Sequence, residues 1–217
     1  MTKRTSSFVA AMTETAAAAF LRLVESRRGH FRLESGHHGA FWLDLDTLFA
    51  SPARIAPFVS DLAGRVRRHD VSAVCGPLLG GAFLAQQLAV ALDVEFWFTE
   101  RVPPSDRSGL YGASYVLPPA FTTRVPGRRV AIVDDVMSAG SALRGTFTEL
   151  RAHRARPVVA AALLVLGDAG ADFFAEQQLP VEWVARDEYE LWLPEACPMC
   201  ASDVPLEDSS ASLEHGQ

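Results

Sequence analysis

Val130-Ala131-Ile132-Val133-Asp134-Asp135-Val136-Met137-Ser138-Ala139-Gly140-Ser141 is the stretch whose reading decides the fold of this chain. Its first four residues are apolar and mostly β-branched, the pattern of a strand buried on both faces. Two adjacent carboxylates follow where that strand is expected to stop. A run of small residues comes next, and then Leu143, Phe147 and Leu150, spaced to share one face of a helix. Strand, small-residue turn and helix N-terminus together form an anion cradle: free amides and the positive end of the helix dipole face the ligand, and small side chains let it approach. No Lys-Ser/Thr follows the glycine, so this is not a Walker A loop. Only Gly140 stands where a dinucleotide fingerprint needs three glycines. The alternative is an ordinary strand–turn–helix with acidic N-capping residues.

Working outward, a second glycine-rich bend, Gly76-Pro77-Leu78-Leu79-Gly80-Gly81, follows the short apolar run Val71–Cys75 and precedes a helical segment, Ala82–Leu92. Such a bend between a parallel strand and a helix is another place where amides meet an anion. Apolar strands near 71, 94, 130, 158 and 181 alternate with helices, which implies an α/β doubly wound parallel sheet with ligands beyond the carboxyl ends of the strands. An alanine-rich helix is expected from Thr13 to the arginines Arg27 and Arg28, ended by Gly29. Phe31 to Asp44 alternates and turns through Ser35-Gly36, the pattern of a hairpin. His37 and His38 are neighbours on an extended segment, so they point to opposite faces and make a poor chelating pair; they read as surface imidazoles, with a substrate contact as the alternative. Residues 100–121 are rich in Pro, Ser and Gly, and a long loop in a compact domain is usually functional.

With 217 residues the chain suits one domain with a full core, and 49% hydrophobic against 21% charged residues is a globular balance. The formal charge of −6 provides no global field for nucleic acid or anionic membrane, so a polyanionic substrate has to be held locally. No apolar run reaches membrane-spanning length and no signal-peptide core is present; three cysteines, an odd number, fit a reducing cytoplasm. Cys75 reads as a buried small hydrophobe. Cys197-Pro-Met-Cys200 is half of a zinc site, requiring a second subunit's pair or His215 to complete it, and free thiols are the competing reading. The domain plan is a flexible N-terminus at 1–10, a domain over 11–200 with a hood at about 29–46 and a mobile loop at about 100–120, and a disordered tail at 201–217.

The hydrophobic strand, Asp134-Asp135 and Ser138-Ala139-Gly140-Ser141 resemble the phosphoribosyl pyrophosphate (PRPP) motif of the type I phosphoribosyltransferases. The resemblance covers about residues 15–190 and is closest to orotate phosphoribosyltransferases, whose N-terminal hairpin Phe-x-Leu-Lys-Ser-Gly-x-x-Ser-x-Tyr-Phe is similar to the stretch from Phe31 to Trp42. It implies a small N-terminal hood over the cleft and Mg²⁺-dependent transfer of 5-phosphoribosyl from PRPP to a nitrogenous base, orotate being the best named acceptor, with release of pyrophosphate. Asp134 and Asp135 would hold the ribose hydroxyls, and Val136, Met137, Ser138, Ala139, Gly140 and Ser141 the 5-phosphate. Gly76, Pro77, Leu78, Leu79, Gly80 and Gly81 would meet the pyrophosphate, with Mg²⁺ carried by the substrate rather than by direct side-chain ligands. Ser35, Phe41, Trp42 and Arg144 would bind the base; Arg101 and Arg107 would act from the loop, which in the family often closes over the partner's site in a homodimer. Two departures stand out: the family's hairpin lysine is Glu34 here, and its loop lysines are Val102 and Ser105, with Arg107 in place of the histidine. The alternative they raise is a non-catalytic protein that senses PRPP or nucleotide on the same fold.

Overall fold

The computed structural model describes residues 15–102 and 109–208; the segment 1–10 expected to be flexible, Ser105, Arg107, His215 and the end of the expected tail lie outside the described residues. The described residues open with α1 (Ala16–Leu21), capped by the Thr15 hydroxyl, which accepts the Ala18 amide at 3.2 Å. The helix expected to continue to Gly29 is much shorter. Glu25–Arg32 is instead β1, antiparallel to β2 (His38–Asp44), with Arg27 opposite Trp42 and Arg28 opposite Phe41. Helix propensities differ by only tenths of a kcal/mol per residue, too little to outweigh a full set of strand partners. The hood hairpin therefore starts earlier than 29. Next come α2 (Pro52–Val66), β3 (Ala73–Pro77), α3 (Gly80–Leu92), β4 (Glu95–Val102), β5 (Ser114–Val116) and α4 (Pro119–Thr122). They are followed by β6 (Arg129–Met137), α5 (Ser141–Ala152), β7 (Arg156–Leu166), α6 (Ala169–Glu176), β8 (Val181–Asp187), α7 (Pro198–Ala201) and β9 (Glu207–Asp208).

The main sheet has the order β5-β4-β3-β6-β7-β8, parallel throughout except for the antiparallel edge strand β5. Alternation across the central strands divides the core. Val74, Ala131, Val133, Ala161 and Leu163 face α2 and α3, while Ala73, Cys75, Val130, Ile132, Ala160 and Ala162 face the side covered by α5 and α6. A sheet buried on both faces needs continuous apolar strands, which is why these five were legible as runs. The chain winds outward from β3 in both directions, to β4 on one side and through β6, β7 and β8 on the other, so the order reverses between β3 and β6. In open α/β sheets that reversal opens a crevice beyond the strand ends, and the loops after β3 and β6 are the two read as anion-binding.

Three expectations are corrected here. The irregular stretch is narrower than 100–120, because β4 runs to Val102 and pairs with β5: Glu100 with Val116, Arg101 with Tyr115, Val102 with Ser114. The polar edge residues take their conformation from this pairing rather than from burial. The tail is ordered past 201, with β9 adding in parallel to the hood sheet β2-β1-β9. His37 and His38 are buried rather than on the surface, His37 against Ser35 and Tyr111 and His38 against His30 and Cys200. Among the described residues no helix is long and apolar enough to cross a membrane.

Candidate active site

Both aspartates lie inside β6, which runs on to Met137 because β7 supplies partners that far: Asp134 lies opposite Ala162 and Met137 opposite Val165. Asp134 Oδ1 accepts the Asp135 amide at 3.0 Å, and Asp135 Oδ1 accepts the Val136 amide at 2.7 Å. At the strand end the chain turns through Gly140, whose φ of 75° lies in the left-handed region that glycine enters freely. A Cβ there would also stand 3.3 Å from the Gly170 Cα, because the start of α6 is drawn in by a bond from the Gly170 amide to the Ser138 carbonyl at 2.9 Å. Among the described residues no side chain caps α5, which leaves its first-turn amides open to an anion.

The loop after β3 forms the facing wall. Its Leu78–Leu79 peptide bond is cis, and the Leu78 amide donates to the Thr99 carbonyl at 2.9 Å. The glycines here are set by contact. A Cβ on Gly80 would overlap Asp135 Oδ2, one on Gly81 would stand 2.8 Å from Asp134 Oδ1, and one on Gly76 would overlap the Gly81 carbonyl. The two carboxylates are thus pressed against the second anion loop. Burial raises Asp134 well above the usual carboxylate range, with the neighbouring Asp135 and Glu34 charges adding to it. Burial likewise pushes Asp135 up to about 6. A pair so placed favours hydrogen-bond donors or a cation opposite it.

The hood closes this crevice through its tip. The Tyr115 hydroxyl donates to Glu34 Oε1 at 2.7 Å, and Arg101 Nε stands 3.8 Å from the same oxygen. Glu34, standing where the family has lysine, is therefore matched by a cation and a donor. Tyr115 is fixed in turn by α5, where a Cβ on Gly145 would overlap its ring, and by burial. Burial and the Glu34 charge push the Tyr115 hydroxyl far up, so it stays a donor. Ser35 is buried and hydrogen-bonds His37 Nδ1 at 3.0 Å, and its carbonyl accepts the Tyr111 amide at 2.9 Å. Burial and the nearby Arg144 guanidinium push the His37 imidazole down, keeping it neutral.

Arg144 lies between the Tyr111 and Phe173 rings, 4.3 and 4.2 Å from their centroids. Its Nε donates to the Ala139 carbonyl at 2.8 Å and its Nη2 to the Ala169 carbonyl at 2.7 Å. It ties the phosphate cradle to the start of α6 and to the hood through Tyr111. Of the residues assigned to the base, Ser35 and Arg144 meet through His37 and Tyr111, whereas Phe41 and Trp42 do not join them. Phe41 packs on Tyr189 at 6.4 Å, and Trp42 lies near Phe31, also at 6.4 Å. The sequence does not single out Phe173, marks Tyr111 and Tyr115 only as members of the irregular stretch, and for His37 offers a substrate contact as the alternative to a surface imidazole. Tyr111 and Tyr115 lie in that Pro- and Ser-rich stretch, and Phe173 belongs to the helix Ala169–Glu176, where no local pattern gives any of the three a particular role.

Residues 46–185 match the family model described as phosphoribosyl transferase domain. The chain belongs to the phosphoribosyl transferase domain family, and it is a phosphoribosyltransferase enzyme. Among relatives, it is 30% identical over 189 residues to the orotate phosphoribosyltransferase of Carboxydothermus hydrogenoformans, covering 86% of this chain and 92% of that protein. It is 28% identical over 179 residues to that of Thermotoga petrophila, covering 82% of this chain and 88% of that one. Among solved structures, orotate phosphoribosyltransferase from Aeropyrum pernix matches with a TM-score of 0.59 at 23% identity, covering 79% of this chain and 94% of that chain. The adenine phosphoribosyltransferase of Giardia lamblia, complexed with 9-deazaadenine, matches with 0.63 at 16% identity, covering 81% and 99%. These structural matches show the fold.

Proposed function

We propose that this enzyme transfers the 5-phosphoribosyl group of PRPP to orotate, releasing pyrophosphate. The observation that carries the reading is the position of Asp134 and Asp135 between two anion loops at the reversal of strand order. A 5-phosphate on the open amides of α5 leaves a ribose beside the carboxylates, where its hydroxyls donate to them. The pyrophosphate then falls toward Gly76–Gly81 and Arg101, whose buried Nε has no hydrogen-bond partner among the described residues. Bond breaking passes through an oxocarbenium-like state, so these residues contribute by positioning the ribose and matching the departing charge. Mg²⁺ fits this donor set, hard oxygens on carboxylates of raised proton affinity; held by Asp134 and Asp135 through water, it would neutralise the leaving pyrophosphate. Orotate is supported by the named activity of the relatives and by Glu34, whose charge is taken up by Tyr115 and Arg101 instead of facing the acceptor.

The test is pyrophosphate release from PRPP and Mg²⁺ with orotate, uracil, adenine or hypoxanthine offered separately. Turnover with orotate alone is expected. Turnover only with a purine would overturn the acceptor while leaving the transfer, and PRPP binding with no turnover on any base would favour the sensing alternative. The same reading takes the enzyme to be a cytoplasmic homodimer. Leu79, Phe83 and Val90, exposed on or beside one helix, supply apolar surface for a second copy. A sedimentation mass of a single chain at micromolar concentration would contradict the dimer.

A further inference from the structure

The hood and the C-terminal segment meet at a cluster that the transfer reaction does not use. His30 on β1, His38 on β2, Cys197 and Cys200 bring one ligand atom each to within 4.8 Å of one another. His30 Nε2 lies 3.1 Å from His38 Nδ1, 3.3 Å from Cys197 Sγ and 3.7 Å from Cys200 Sγ; Cys200 Sγ lies 3.3 Å from His38 Nδ1. Metal–sulfur bonds of about 2.3 Å and metal–nitrogen bonds of about 2.0–2.1 Å give a tetrahedron with edges of roughly 3.3–3.8 Å. Four of the six separations, 3.1 to 3.7 Å, lie close to those edges, and the other two are within 4.8 Å. We propose that His30, His38, Cys197 and Cys200 form a closed tetrahedral Zn²⁺ site within one chain.

Three further features agree. His30 Nδ1 lies 2.8 Å from the Val204 carbonyl, which can only accept; its proton is therefore on Nδ1 and the Nε2 lone pair points into the cluster, as in structural zinc sites. His30, His38 and Cys197 are buried and only Cys200 reaches the surface, so the four positions are filled by protein and no place remains for substrate. The backbone is held for the purpose: His38 exchanges two bonds with Trp192, at 2.8 and 2.9 Å, and β9 adds to β1 just beyond Val204. Two soft thiolates with two imidazoles select zinc over magnesium or calcium. The site's place also gives it a role. His30 and His38 flank the turn that carries Glu34, Ser35 and His37, so the metal would clamp the base of the hood whose tip covers the crevice.

The test uses the full chain expressed with zinc and purified without chelator. Elemental analysis is expected to give about one zinc per chain, falling at least tenfold in Cys197→Ser/Cys200→Ser. Chelation of the wild type is expected to lower its melting temperature. Because misfolding of the double variant would also lose zinc, the second measurement is cobalt substitution of the wild type. It should give the intense visible bands of tetrahedral Co²⁺ with thiolate charge-transfer absorption. A wild type free of zinc, zinc unchanged in the double variant, a six-coordinate cobalt spectrum, or a Cys197–Cys200 disulfide in the freshly isolated protein would each overturn the site.

Discussion

Replacing both carboxylates, Asp134→Asn/Asp135→Asn, is expected to abolish phosphoribosyl transfer while raising the melting temperature of the unliganded enzyme. The two effects have one cause. Burial lifts Asp135 from 3.8 to about 6 and raises Asp134 as well, so ionising the pair opposes the fold. For Asp135 alone the rise corresponds to ~3 kcal/mol of lost stability at pH 7. The sign follows from proton binding. Between pH 4 and 6 the folded state keeps a proton on Asp135 that the unfolded chain has released, so this group's contribution to stability is greatest at low pH and is lost as pH rises through about 6. Removing the charges should raise the melting temperature by ~5 °C or more at pH 7 and flatten its dependence on pH over that window. Transfer runs the other way. Ribose hydroxyls and a metal-bound water need ionised acceptors, so kcat/KM for PRPP should climb with pH through about 6. In the double variant it should fall by ~10³-fold or more, the scale of losing charge-stabilising contacts at a reacting centre. Thermal denaturation and pyrophosphate release over pH 5 to 8 check both halves. A double variant less stable than wild type at pH 7 would show that the pair supports the fold instead of straining it.

The second large effect is expected from one methyl group. Gly80→Ala puts a Cβ on Asp135 Oδ2, and the overlap is relieved only by moving the carboxylate or the loop. Either displaces a group by something near 1 Å at the crevice, a misplacement that costs about 10²-fold in rate. Gly80 has no left-handed φ and begins α3, where alanine is a better helix former than glycine, so the fold itself should tolerate the change. The expected result is a normal circular dichroism spectrum, a melting temperature within a few degrees of wild type, and kcat/KM for PRPP lower by ~10²-fold. Gly64→Ala, at a position with open space, is the control and should leave activity unchanged. Full activity in Gly80→Ala would mean that the loop after β3 has no part in holding Asp135.

The two predictions draw on features of unequal visibility in the sequence. The five parallel strands and both glycine-rich bends were legible because burial on two faces forces continuous apolar runs and because an anion loop needs small residues in a fixed place. Asp134 and Asp135 were legible by adjacency, though not their position inside β6, which depends on how far β7 extends. What escaped was set by partners distant in the chain. Glu34 reads only as a departure from the family's lysine until Tyr115 and Arg101 arrive from the other side of the crevice. The arginine-rich start of β1 carries no alternation and takes its form from β2. His30 and His38 reach the Cys197–Cys200 pair only through the fold, across more than 150 residues that no spacing rule spans. Arg144 shows the middle case: its place one turn into α5 was plain, but its bonds to the Ala139 and Ala169 carbonyls were not.

The measurement closest to the central claim is a crystal structure of the enzyme soaked with PRPP and Mg²⁺. The account predicts the 5-phosphate on the amides of residues 138–141, the ribose hydroxyls on Asp134 and Asp135, and the pyrophosphate against Gly76–Gly81. Density for PRPP anywhere else, or a ribose turned away from the two carboxylates, would contradict it.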